Sequence, residues 1–116
     1  MSARADILVR CRAGHVVQRF RWMSGQAVWH PTRHQDQVIA VYSGGVVNPP
    51  FKSAEEIVAL PVPDHWRWPL ICDKCRPRQP RVVRDDRVAP VLTWLSSQGR
   101  TEIGMIELDE RLAGHA

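Results

Sequence analysis

A chain of 116 residues, 44% hydrophobic and 24% charged, has the composition of one globular domain, which excludes a disordered or fibrous chain. Its net charge of +4 comes almost wholly from arginine, since only Lys52 and Lys74 are lysines, and it favours an anionic partner such as nucleic acid. No stretch approaches the ~20 apolar residues of a membrane span, and residues 1–12 hold no apolar centre of signal-peptide length, so a cytoplasmic protein with no membrane partner is expected.

In chain order, Ile7–Arg10 reads as a short strand. From Val16 to Met23 the residues alternate, with Val16, Gln18, Phe20 and Trp22 on one face and Val17, Arg19, Arg21 and Met23 on the other. The first face is the more apolar, which predicts a half-buried strand. Ser24-Gly25 is a turn, and Ala27–His30 returns as the second arm of a hairpin. Pro31–Asp36 is a polar loop, and the β-branched run in Gln37–Tyr42 predicts a third strand. Gly44-Gly45 reads as a turn and not as a phosphate-binding loop. Val46-Val47 is then extended up to the breaker Asn48-Pro49-Pro50.

Ser53-Ala-Glu-Glu56 has the spacing of a capping box and predicts a helix over Ala54–Leu60, stopped by Pro61 and Pro63. Trp66–Ile71 is extended and leads into Cys72. Residues 77–87 are rich in arginine and proline and read as a linker or arm. Val88, Val91, Leu92 and Leu95 have helical spacing, with Pro90 in the first turn and Gly99 as the C-terminal cap. The segment 101–112 supports two readings: a helix through Met105, Leu108 and Leu112, or a strand over Ile103–Leu108. A helix-turn-helix is disfavoured, because the spacing after Gly99 does not suit one.

Chemistry concentrates in two short pairs. Cys11 and His15 form a C-x3-H pair, and Cys72 and Cys75 form a C-x2-C pair; together they use every cysteine in the chain. Zinc in structural sites takes four tetrahedral nitrogen and sulfur ligands, and this set supplies Cys3His. An odd cysteine count in a reducing compartment favours a metal over a disulfide framework. Three thiolates and a neutral imidazole on Zn2+ sum to one negative charge, which Arg10, Arg12, Lys74 and Arg76 flank. Four protein ligands leave no open position for catalysis, so one structural zinc and no enzyme activity are expected.

Rival readings of the same residues are weaker. A redox C-x2-C pair needs a helix start, whereas Arg76-Pro77 follows Cys75. A zinc deaminase needs an H-x-E element, which neither His15 nor His65 provides. His30 and His34 are four apart, but Pro31 lies between them and they read as surface loop residues. His65 is a substitute ligand for the metal at most. The plainest alternative leaves Cys11 as a small buried hydrophobe and Cys72 and Cys75 unused.

Cys11-Arg-Ala-Gly-His15 and Cys72-Asp-Lys-Cys75, each approached by an expected strand, resemble the paired knuckles of the zinc-ribbon and treble-clef group of small zinc-binding domains. The style is also similar to that of small zinc-binding proteins of actinobacteria and their phages. The resemblance covers the ligand frame, and the two pairs stand further apart than in zinc ribbons. It implies an α+β fold in which a small antiparallel sheet is stapled by zinc. The division expected is a zinc-ribbon-like domain at 1–76, an arm at 77–87 and a helical C-terminal appendage at 88–116.

A basic surface carries the binding expectation. Arg76, Arg78, Arg81, Arg84 and Arg87 recur about every third residue and could track a phosphate backbone, and Arg19 and Arg21 share a strand face. The expected function is a non-catalytic, zinc-stabilised protein acting on nucleic acid, on a nucleic-acid-bound protein or on the transcription machinery. The alternative is a protein-interaction or host-modulating module of phage type that uses the C-terminal appendage. Trp66 and Trp68 share a face and are expected to pack in the core.

Overall fold

The computed structural model describes residues 4–47, 51–76, 78 and 80–114. The Asn48-Pro49-Pro50 breaker, two residues of the expected arm (Pro77 and Gln79) and His115 lie outside that set. Along the chain come β1 (Ile7–Arg10), β2 (Val16–Met23), β3 (Val28–Pro31), a 3-10 turn (Gln35–Gln37), β4 (Ile39–Tyr42), β5 (Gly45–Val47) and α1 (Ala54–Val58). They are followed by β6 (His65–Leu70), β7 (Arg81–Arg84), α2 (Asp85–Ser97), β8 (Glu102–Gly104) and α3 (Met105–Ala113).

The strands form two four-stranded sheets, ordered β3-β2-β1-β8 and β5-β4-β6-β7. Alternation in the sequence explains the first. Gln18 and Phe20 of β2 are buried while Arg19 and Arg21 point outward, as the period of two requires. The pairing of β1 with β2 changes register between Val9 and Arg10. This bulge gives β2 an extra residue, and Val17 and Gln18 are both buried there. β8 joins the far edge of β1 in parallel, with Ile103 opposite Val9.

Here the structure departs from the expectation of one antiparallel sheet with a separate C-terminal appendage. Buried residues of β1, β6, α2, β8 and α3 belong to one hydrophobic cluster, so the segment after residue 87 is built into the core. The two readings of 101–112 are each right over part of it: a strand through Gly104, then a helix.

The expected arm also differs. Arg81–Arg84 is β7, antiparallel to β6, with Val83 opposite Trp68. The β-branched pair Val82-Val83 drives this, because Val83 gains a buried apolar partner that outweighs the flanking charge. Arginines remain on the edge strand, where charge discourages pairing with another chain. The following helix therefore starts at Asp85 instead of Val88, and Asp85 and Asp86 occupy the first turn, where the helix dipole favours acids.

Other local signals act as expected. Ser53 caps α1, its hydroxyl accepting the Glu56 backbone N–H. The Glu56 carboxylate reaches back to the Lys52 N–H, one residue before the usual partner in a capping box. Gly99, at φ +71°, ends α2, with the Arg100 N–H donating to the Leu95 carbonyl. Among the described residues, no helix is long and apolar enough to cross a membrane.

Candidate metal centre

The two cysteine and histidine pairs sit at facing ends of the two sheets. Cys11 follows β1 and His15 precedes β2, so the C-x3-H pair is the turn of the first hairpin. The Cys11 N–H donates to the His15 carbonyl at 2.8 Å, and the Gly14 N–H donates to the Cys11 carbonyl at 2.9 Å. Gly14 lies at φ +87°, a left-handed conformation that glycine adopts without strain. Cys72 and Cys75 lie in the loop after β6.

Fold topology brings all four side chains together, their donor atoms within 4.8 Å of one another. His15 Nδ1 lies 3.5 Å from Cys11 Sγ and 3.6 Å from both Cys72 Sγ and Cys75 Sγ. Cys11 Sγ lies 3.7 Å from Cys75 Sγ and 3.9 Å from Cys72 Sγ. A tetrahedral ion with ordinary Zn–S and Zn–N bonds has edges of about 3.8 Å between sulfurs and about 3.6 Å between sulfur and nitrogen. The four residues could therefore hold one metal ion, all of them half-buried.

Electrostatics within the cluster point the same way. Desolvation opposes ionisation of Cys11, but backbone N–H groups of His15 and Ala13 hold the thiol below its usual value. Cys72 is likewise opposed by desolvation and held low by the Lys74 and Cys75 N–H groups. Cys75 is pushed up to about 11 by its contacts with Cys72 and Cys11. Ionisation is thus eased at Cys11 and Cys72 and opposed at Cys75, where a cation among the three sulfurs would favour the thiolate.

Asp73, between the two loop cysteines, anchors their loop. Its carboxylate meets His34 Nε2 at 2.9 Å, Arg78 at 2.7 Å and Arg33 at 3.4 Å. His34 is thus half-buried and engaged, and His30 is buried; neither is the surface residue that the intervening Pro31 suggested. β3 runs through Pro31 and takes His30 into the core. His65 opens β6 and is not among the four clustered residues.

The arginines expected to form a phosphate stripe are spread over several elements. Arg76 donates to the carbonyls of Asp73 and Cys75. Arg78 pairs with Asp73, Arg81 with Asp109 and Arg84 with Asp86. Arg87 is exposed on the first turn of α2. Arg19 and Arg21 both reach Asp6. Spacing along the chain gave no sign of these carboxylate partners, most of which come from other elements.

A second feature was legible only in part from the sequence. Trp22, Trp29, Trp66 and Trp68 line a cavity of about 500 Å3 between the sheets and α2. The sign was present as two tryptophan pairs, each on one strand face or hairpin, but which pairs meet depends on how the two sheets pack. Comparison of the chain with family models, curated proteins and solved structures finds no match.

Proposed function

We propose that the chain is a non-catalytic binding protein whose Cys3His cluster holds one structural zinc ion. The observation that carries this is the close set formed by Cys11, His15, Cys72 and Cys75, with donor atoms within 4.8 Å of one another. The donor set fits zinc, because three thiolates and an imidazole suit its borderline-soft character. With all four positions filled by protein, no site is left for a catalytic water. The ion links the β1–β2 turn to the loop after β6, and so ties the first sheet to the second. Its ligand frame is zinc-ribbon in style, and the unpaired thiols suit a reducing, cytoplasmic setting.

Nucleic acid is the partner class we propose, at the basic end around the cluster. Arg12 and Lys74 are exposed within the two ligand turns, and the net charge is +4. The carboxylates on Arg19, Arg21, Arg78, Arg81 and Arg84 make those arginines weaker phosphate contacts. A protein partner at the C-terminal segment remains the second reading, supported by Trp94, which lies exposed beneath Arg111.

Native mass spectrometry before and after chelation tests the metal. One zinc per chain, lost together with the fold, is expected. An intact fold without metal overturns the proposal and turns attention to Cys72 and Cys75 as a redox pair. Binding to duplex DNA and single-stranded RNA across a salt series tests the partner, and affinity that does not fall with salt overturns it.

A further inference from the structure

Outside the metal centre, Trp22, Trp29, Trp66 and Trp68 line an open cavity. Its volume of about 500 Å3 lies in the range of small-molecule sites. Four indoles contribute, drawn from both sheets. Trp22 and Trp29 are cross-strand partners, packed edge to face at 5.3 Å. The Trp29 N–H is already bonded to Thr93 Oγ1 at 3.2 Å, so it is not available to a ligand.

The polar complement of the wall is sparse and one-signed. Asp85, the first residue of α2, is the wall's one carboxylate, and no lysine or arginine lines the cavity. One Asp85 oxygen accepts the Trp66 backbone N–H at 2.7 Å, which fixes the carboxylate beside the indoles. His30 also lines the wall; it is 6% exposed, and its Nδ1 is buried without a hydrogen-bond partner. Such an orphan is expensive unless something meets it. Burial keeps His30 neutral by lowering its pKa, so Asp85 sets the charge of the wall.

Aromatic faces beside a fixed carboxylate attract an organic cation, through ring quadrupoles and direct charge together. The same chemistry operates at the rim, where the Arg4 guanidinium lies 4.7 Å from the Trp22 ring centre. We propose that this cavity binds a small, free alkylammonium molecule, its cationic head against the half-exposed Trp22 and Trp66 and against Asp85. Burial pushes the Asp85 carboxyl above its usual value, against the N–H groups of Trp66 and Asp86; a cationic guest would relieve that cost.

The test uses the whole folded protein and tryptophan fluorescence, titrated with choline and with its neutral isostere, in which carbon replaces the quaternary nitrogen. Choline is expected to bind about ten-fold or more tightly than the isostere. Equal binding of the two, or no response to either at millimolar concentration, overturns the proposal without need of a variant. D85N can still accept the Trp66 N–H; it is expected to abolish most of the choline preference and leave the isostere unchanged. An unaltered preference in D85N overturns the role of the carboxylate. A trimethyllysine peptide that binds more tightly than choline would assign the cavity to a protein partner and overturn the small-molecule reading. The titration does not involve the metal cluster, so it can fail while the zinc proposal stands.

Discussion

Gln18 of β2 donates its side-chain amide to the carbonyl of Pro69 in β6 at 2.8 Å, a bond wholly inside the protein. The same amide donates to the Arg33 carbonyl at 2.9 Å, and its oxygen accepts the N–H groups of Arg33 and Arg19 at 2.9 Å and 3.0 Å. Every donor and acceptor of this buried amide is thereby used. It joins the first sheet to the second and to the loop that follows β3.

Replacing Gln18 by leucine keeps the volume and strands these backbone groups. The expected loss is on the order of 3 kcal/mol, since each buried orphan costs about 1–3 kcal/mol. Urea unfolding of the zinc-loaded protein measures it. A loss below about 0.5 kcal/mol would mean that water or a local shift replaces the network.

Cys75 and the metal should behave as one unit. C75S is expected to lower zinc content and stability together, by several kcal/mol out of the order of 10 kcal/mol that structural zinc can supply. Chelation should then cost the variant much less than it costs the wild type. Urea curves with and without chelator form the required cycle. A full chelation penalty in C75S would show that Cys75 is not a ligand.

His30 makes stability depend on pH. It is held neutral by burial, below an ordinary value of 6.5, while the unfolded chain takes up a proton there. Unfolding is therefore favoured as pH falls below 6.5, and the full stability is present above it. H30F is expected to flatten the stability curve between about pH 7.5 and 5.5 relative to wild type. Parallel curves would remove His30 as the source.

Glu107 acts in the acid range. Arg100 donates to its carboxylate at 2.8 Å and Arg111 at 3.2 Å, and these contacts hold it down to about 2 from an ordinary 4.5. Its contribution is complete above 4.5 and disappears as pH falls through about 2. The side chain is about one-third exposed, so solvent limits the gain to under about 1 kcal/mol. The stability difference between wild type and E107Q should shrink on acidification and at high salt. A difference constant down to the acid limit would contradict the ion pairs.

Local signals were legible because their physics is local. Alternation from Val16 to Met23 marked β2 and its buried face, and Ser53 with Glu56 marked α1. The two turns that carry Cys11, His15, Cys72 and Cys75 were legible from spacing, since each fixes two of these side chains within a few residues. Partner choice was not. Val82-Val83 reads as a strand only once Trp68 is known to lie opposite, and Ile103 reads as one only beside Val9. The burial of His30 and the meeting of four tryptophans likewise depend on how the sheets pack, which no short window contains. The carboxylate partners of the arginines were hidden for the same reason, because Asp6, Asp73 and Asp109 meet them across the fold.

Parallel pairing of β1 with β8 has a kinetic meaning. During synthesis the first hairpin emerges early, but one side of β1 has no neighbour until the segment around Ile103 has been made. Through that interval the strand exposes an unpaired ladder and the apolar side chains of Ile7 and Val9, a template for another nascent chain. Closing so distant a contact is slow by its topology. Aggregation on the ribosome should thus depend on how quickly that last pairing forms, and a protein that is sound once complete can still be vulnerable while it is being made.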